Sequence, residues 1–244
     1  MNTDARSAVR RIERNALLAA LPSAERARFS DHLELVPLAL GQVLYEAGET
    51  MRHAYFPTDC VISLLYVMKN GESAEIAIVG NEGMIGIALF MGGDSTMSRA
   101  IVQNAGHAYR LKAQVLKDEF HRGSALSRSL LMFSSALITQ MVQTAACNRH
   151  HTVDQQLCRW MLLSLDRLPS GQISMTAKLI GNMLGLGAAQ VSMATDVLSK
   201  AKLINYDDGE ITVLDRGAVE RRSCECYAVV KEESDRLLAH QSKS

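Results

Sequence analysis

The rhythm of apolar and polar positions changes several times along the chain. Residues 5–34 read as helical, with apolar positions at Leu17, Leu18, Leu21 and Phe29, and Pro22-Ser23-Ala24-Glu25 marks a break followed by a new helix start. From Val36 to about Lys112 short apolar runs alternate with single glycines; the runs are 42–45, 54–56, 61–68, 74–79 and 100–103. Short strands bounded by glycine turns predict an antiparallel sandwich or barrel. After Lys112 glycine nearly vanishes, and a helical pattern continues to about Leu168.

Within that run, Leu126, Leu130, Phe133, Leu137, Gln140, Thr144 and Cys147 recur at alternating spacings of 4 and 3. A heptad seam of this kind suits a dimer-forming coiled coil. The same stripe suits a helix packed on its own domain, because periods of 3.5 and 3.6 diverge little over so few turns. The seam grows polar toward Thr144 and Cys147, so its grip weakens there.

Pro169-Ser170-Gly171 is the best boundary in the C-terminal part. Two short helical patterns follow. The first runs from Thr176 to Leu184-Gly185, and the second from Ala188 to Ser199. Two helices joined by a few residues including glycine form a helix-turn-helix. Downstream, 203–206 and 210–214 flank Asp207-Asp208-Gly209, which predicts a hairpin. Helix-turn-helix plus hairpin is a winged-helix arrangement, closed by an amphipathic stretch from Arg216 to about Leu238.

Composition narrows the classes. The 244 residues carry 26 Lys+Arg against 26 Asp+Glu and are 48% hydrophobic, which excludes general disorder and a broadly basic nucleic-acid binder. No uninterrupted apolar run approaches the ~18 residues of a membrane span. No apolar leader core follows the arginines near the start, so a cytoplasmic chain without membrane contact is expected. Five scattered cysteines, Cys60, Cys147, Cys158, Cys224 and Cys226, read as reduced thiols.

The order and spacing of several segments resemble the Crp–Fnr family of bacterial transcription regulators. They are Asn15-Ala-Leu-Leu-Ala-Ala-Leu-Pro22, Leu40-Gly-Gln-Val-Leu-Tyr-Glu-Ala-Gly-Glu49, Val79-Gly-Asn-Glu-Gly-Met-Ile-Gly86, the long helix, Met183-Leu-Gly185 and Leu203-Ile-Asn-Tyr206. The resemblance implies an α+β chain: an N-terminal antiparallel β-roll sensor, a long dimerisation helix and a C-terminal winged helix-turn-helix. The expected bounds are an N-terminal helical segment over 1–35, the β-roll over 36–115, the dimerisation helix over 116–150 and the DNA-binding-like domain over 151–244. It also implies a homodimer, double-stranded DNA and RNA polymerase as partners, and a small-molecule effector.

Relatives that bind cyclic nucleotides use a Gly-Glu pair for the ribose and a downstream Arg for the phosphate. The matching stretch is Gly86-Ile87, with Arg99-Ala100 downstream. Ile87 cannot hydrogen-bond a hydroxyl, and burying one unpaired costs roughly 1–3 kcal/mol, so cyclic AMP is not the expected ligand. The other reading of Arg99 is a solvated charge at a strand end. No cysteine precedes Cys60, which removes the iron–sulfur chemistry of Fnr-type sensors, and no histidine sits in a haem pattern. Cys224-Glu225-Cys226 is a lone pair and reads as two thiols, while His150-His151 reads as a hinge or surface feature; no metal and no cofactor is assigned.

The reading helix departs from the family. The positions at which relatives carry base-reading Arg and Glu hold Gly187, Ala188, Ala189 and Met193, and Asp196 is the only charge from Leu179 to Ser199. The remaining DNA-contact candidates are Thr176, Lys178, Gln190, Ser192 and Thr195. The stretch 150–244 holds 11 Lys+Arg against 12 Asp+Glu, so DNA binding is expected to be weak. Two functions stay open: a regulator using polar and apolar contacts, or a ligand-sensing dimer that acts through a protein partner. No catalytic motif is present, and an enzyme is not expected.

Overall fold

The computed structural model describes residues 12–168 and 171–241. Residues 5–11 of the expected first helix, and Pro169-Ser170 at the expected boundary, lie outside the described residues. Two short helices, α1 (Ala16–Ala19) and α2 (Ser23–Ser30), lead into the sheets. Asn15 caps α1 by accepting from the Leu18 amide. Its Nδ2 donates to the Pro57 and Gly83 carbonyls at 2.9 and 2.8 Å. One buried amide thus fixes the helix start to two separate segments of the roll.

Seven strands build the β-roll: β1 (Glu34–Leu38), β2 (Val43–Tyr45), β3 (His53–Pro57), β4 (Val61–Val67), β5 (Ser73–Val79), β6 (Ser98–Asn104) and β7 (Gly106–Lys112). They form two antiparallel sheets, in the orders β1-β7-β3 and β2-β6-β4-β5. Residues facing the interior, among them Phe56, Ile62, Leu64, Ala100, Val102 and Leu111, make one buried core with the N-terminal helices. A short 3-10 turn, Ile87–Leu89, begins after Gly86, whose φ of +107° suits glycine.

The expected single helical run is three helices: α3 (Ala113–His121), α4 (Ala125–His150) and α5 (Val153–Leu165). Gly123, at φ +66°, ends the first. Thr152 starts the third through a reciprocal capping box with Gln155.

Helix α4 decides between the two readings of its stripe. Leu126, Leu130, Phe133 and Leu137 are at most 3% exposed and belong to the core of their own β-roll. Phe133 lies so close to Gly83 that a Cβ there would sit 2.0 Å from its ring. Gln140 accepts from the Ile78 amide at 2.6 Å and donates to the Ile78 carbonyl at 3.2 Å, filling a gap beside β5. Thr144 is buried and accepts from Arg159 at 3.3 Å. The dimer seam placed on these six residues is therefore corrected: the stripe packs within the chain.

The opposite face of α4 is apolar too. Leu131, Ile138 and Val142 are 55%, 49% and 60% exposed. With Arg128, Ser135 and Ala145, all exposed, they recur at spacings of 3 and 4. Two apolar faces raise the mean hydropathy of an 18-residue window of this helix to 1.4, a value a membrane span would also give. Of that window, 44% is buried within the chain.

The C-terminal part contains β8 (Gln172–Ser174), α6 (Ala177–Leu184), α7 (Ala188–Lys200), β9 (Ile204–Asp207), β10 (Glu210–Val213), α8 (Arg216–Arg222) and α9 (Glu225–Gln241). The strands pair in the order β8-β10-β9. Gly181 is required where α6 meets the turn, because a Cβ would lie 2.6 Å from the Leu186 carbonyl oxygen. The hairpin turns through Asp208 and Gly209, both at positive φ, as an Asp-Gly turn demands. The core of this winged helix is continuous with Val61, Leu65 and Ile78 of the roll. A buried ion pair, Glu82–Arg167 at 2.6 Å, crosses the same junction.

Candidate effector and nucleic-acid sites

The three proposed effector residues do not converge on one pocket. Ile87 packs its side chain against the roll core. Arg99 sits on β6 between Ser98 and Ala100; strand alternation turns Ala100 and Val102 into the roll and places Arg99 on the face of Ile101, which packs toward the winged helix. Its guanidinium is held by Glu46 at 2.7 Å. Its side chain is 34% exposed and lies near the start of β6, closer to the alternative reading of a solvated charge at a strand end. With Ile87 in place of a ribose acceptor and Arg99 facing away, the residues present do not fit a cyclic nucleotide bound in the family manner. A separate open cleft of about 470 Å³ lies on the roll surface, lined by Tyr45, Glu49, Arg52, His53 and Tyr55 among others.

The helix-turn-helix is built as its sequence indicates. Thr176 caps α6 by accepting from the Leu179 amide, and Gly185 ends it at φ +68°. Thr176 and Lys178 are exposed at its start. On α7, Gln190 and Ser192 are exposed, and the Gln190 side chain accepts from the Gly187 amide at 3.0 Å. Thr195 is corrected: it is 1% exposed and donates to the Ser192 carbonyl, so it cannot reach a base edge. The outward face of α7 otherwise presents Ala188, Ala189, Met193, Asp196 and Val197.

Comparison with known proteins places these features together. Residues 35–122 match the cyclic nucleotide-binding domain family. No curated protein matches the chain in sequence. Among solved structures, FixK2 from Bradyrhizobium japonicum is 15% identical, covering 79% of this chain and 98% of that one, with a TM-score of 0.65. A CRP-family transcriptional regulator from Thermus thermophilus is 17% identical, covering 77% and 96%, with a TM-score of 0.62. The c-di-GMP-responsive global regulator CLP of Xanthomonas campestris is 12% identical, covering 79% and 99%, with a TM-score of 0.62.

The chain has the Crp/Fnr fold.

Within this Crp/Fnr fold, a polar chain crosses from the roll to α5. Ser63 Oγ lies 2.7 Å from Glu75 Oε2 and 2.9 Å from Gln103 Oε1, and Gln103 Nε2 donates to Ser164 Oγ at 2.8 Å. One hydroxyl proton cannot serve both acceptors. A protonated Glu75 resolves the conflict by donating to Ser63, which then donates to Gln103. Burial pushes the Glu75 carboxyl up to about 7, against the opposing pull of Ser63, Arg159 and Arg167.

The fold also brings together free cysteines that lie far apart in the sequence. Cys147 and His151, at the end of α4, meet Cys224 and Cys226, at the junction of α8 and α9. The lone Cys224-Glu225-Cys226 pair has its complement 77 residues upstream. Only the packing of α9 along α4 reveals it.

Proposed function

We propose that the protein is a DNA-binding transcription regulator, acts as a homodimer, and responds to a small molecule other than cyclic AMP. The observation that carries this reading is a well-formed helix-turn-helix whose second helix, α7, is exposed and joined through one continuous core to a roll of the cyclic nucleotide-binding type. The structural neighbours named as transcriptional regulators support it. One of them answers to c-di-GMP, so effectors of the fold are not restricted to cyclic AMP. A soluble cytoplasmic location and contact with RNA polymerase accompany this reading, as does the absence of catalysis.

The dimer forms through the exposed face of α4, where Leu131, Ile138 and Val142 repeat at heptad spacing. Two copies related by a two-fold axis present two α7 helices to successive major grooves. Thr176 and Lys178 supply phosphate contacts, and Gln190 and Ser192 read bases. The second reading, action through a protein partner, is favoured by the apolar face of Ala188, Ala189, Met193 and Val197 on α7.

Selection from random duplex DNA with purified protein separates the two. The regulator enriches a sequence with two-fold symmetry; recovery of unselected sequence supports the partner reading. Calorimetry with cyclic AMP accompanies it, and micromolar binding would overturn the effector assignment.

A further inference from the structure

Cys147, Cys224 and Cys226 are buried and form a cluster of their own, separate from both hydrophobic cores. Cysteines that act only as small apolar residues join a core; these instead face one another and a histidine. One donor atom from each of Cys147, His151, Cys224 and Cys226 lies within 4.8 Å of every other. The Cys147 and Cys224 sulfurs are 3.5 Å apart, and Cys226 Sγ is 3.7 Å from His151 Nδ1. Neighbouring donors around tetrahedral zinc, with bonds of about 2.3 Å to sulfur and 2.0–2.1 Å to nitrogen, lie roughly 3.5–3.8 Å apart. Both separations fall in that range, and the sulfur pair is far too wide for a disulfide of about 2.05 Å.

We propose that these four residues bind one zinc ion in a closed three-cysteine, one-histidine site. Thiolate and imidazole donors select zinc over magnesium or calcium, which prefer oxygen. Four protein ligands leave no open position, so the site is structural.

The surroundings match. His151 Nε2 is 3.2 Å from Glu225 Oε2, which orients the ring and leaves Nδ1 toward the sulfurs. Ligating histidines characteristically pass their other nitrogen to a carboxylate in this way. Three thiolates around a divalent ion leave one net negative charge. The buried guanidinium of Arg159 favours the thiolate forms of Cys147 and Cys226 and offsets that charge. The Cys147 and Cys224 sulfurs share a hydrogen bond in which either can be the donor. Each cysteine thiol gives its proton to solvent as its sulfur–zinc bond forms, and no electrons are transferred.

The site bridges two segments. Cys147 and His151 sit where α4 ends and the chain turns into α5, while Cys224 and Cys226 begin α9. Farther along α9, Tyr227 and Val230 enter the winged-helix core and Leu237 enters the roll core. Zinc would pin α9 to the hinge of α4, whether or not the chain reads DNA.

The test is metal content of the full chain, purified without chelator or affinity metal and passed through gel filtration. About one zinc per chain is expected, and near none in Cys224→Ser/Cys226→Ser, with Cys60→Ser and Cys158→Ser as controls that keep it. The chelator-stripped wild type, titrated with cobalt(II), should develop the intense visible bands of tetrahedral thiolate coordination, which added zinc abolishes. Glu225→Gln, which retains all four ligands, should weaken zinc binding by about 10–100-fold. A folded wild type that holds no zinc and gives no cobalt spectrum would overturn the proposal. So would equal zinc in the double variant, or a Cys147–Cys224 disulfide that forms in air despite added zinc.

Discussion

Leu131→Glu/Ile138→Glu should yield a folded monomer, whereas Leu130→Glu/Leu137→Glu should not fold. The two aliphatic pairs are neighbours on α4 and face opposite ways. Leu131 and Ile138 are about half exposed in the single chain, while Leu130 and Leu137 are buried against the roll. Full burial of such a side chain is worth roughly 1.5–3 kcal/mol. Four of them at a two-fold interface set an upper scale of several kcal/mol, so charging them should weaken association by at least about a hundredfold. Glutamate at Leu130 or Leu137 would instead place an unpaired charge in the core, which a chain of ordinary stability cannot absorb. Sedimentation velocity with far-UV circular dichroism distinguishes the outcomes. A folded monomer from the Leu130/Leu137 pair would return the dimer seam to the buried stripe.

Glu75→Gln should stabilise the protein above neutral pH. The folded chain holds the Glu75 proton up to about pH 7, while the unfolded chain releases it near 4.5. Between those values the unfolded state binds fewer protons, so stability from this group falls as pH rises and reaches its full loss above about 7. A shift of this size corresponds to about 3 kcal/mol at 1.36 kcal/mol per pH unit. Glutamine removes the charge and supplies an N–H to Ser63. Its urea midpoint should exceed that of the wild type at pH 8 and approach it at pH 4.5. A variant less stable than wild type at pH 8 would show that Arg159 and Arg167 require a charged Glu75.

Much of the architecture was legible from residue pattern alone. The helix-turn-helix and hairpin were placed within a residue or two, because Thr176, Gly185 and the Asp208-Gly209 turn are strong local signals. Strands β1 and β7 were less visible. Pro37 and Glu34 interrupt the apolar pattern of one, and His107, Arg110 and Lys112 that of the other, because each keeps a polar outer face. The stripe on α4 was found but its direction was not. Both faces of α4 are apolar at heptad spacing, and periodicity does not say which one meets a second chain. The Arg99-Ala100 match carries no information on which face of β6 Arg99 occupies, because that depends on strand pairing rather than on the local motif. The Cys–His cluster was out of reach because its halves are brought together only by α9 packing on α4.

The central claim is that α7 of a two-fold dimer reads DNA with few charges. The direct measurement is fluorescence-anisotropy titration of the purified protein, at two salt concentrations, on the selected palindrome and on a scrambled duplex of equal length. Each phosphate contact contributes about 0.9 to the logarithmic salt slope, and the outward face of α7 offers no basic residue before Lys200. The account predicts tighter binding to the palindrome than to the scramble, a shallow salt slope on both, and loss of the preference in Gln190→Ala/Ser192→Ala. Equal affinity for the two duplexes, or a preference untouched by that variant, would contradict it.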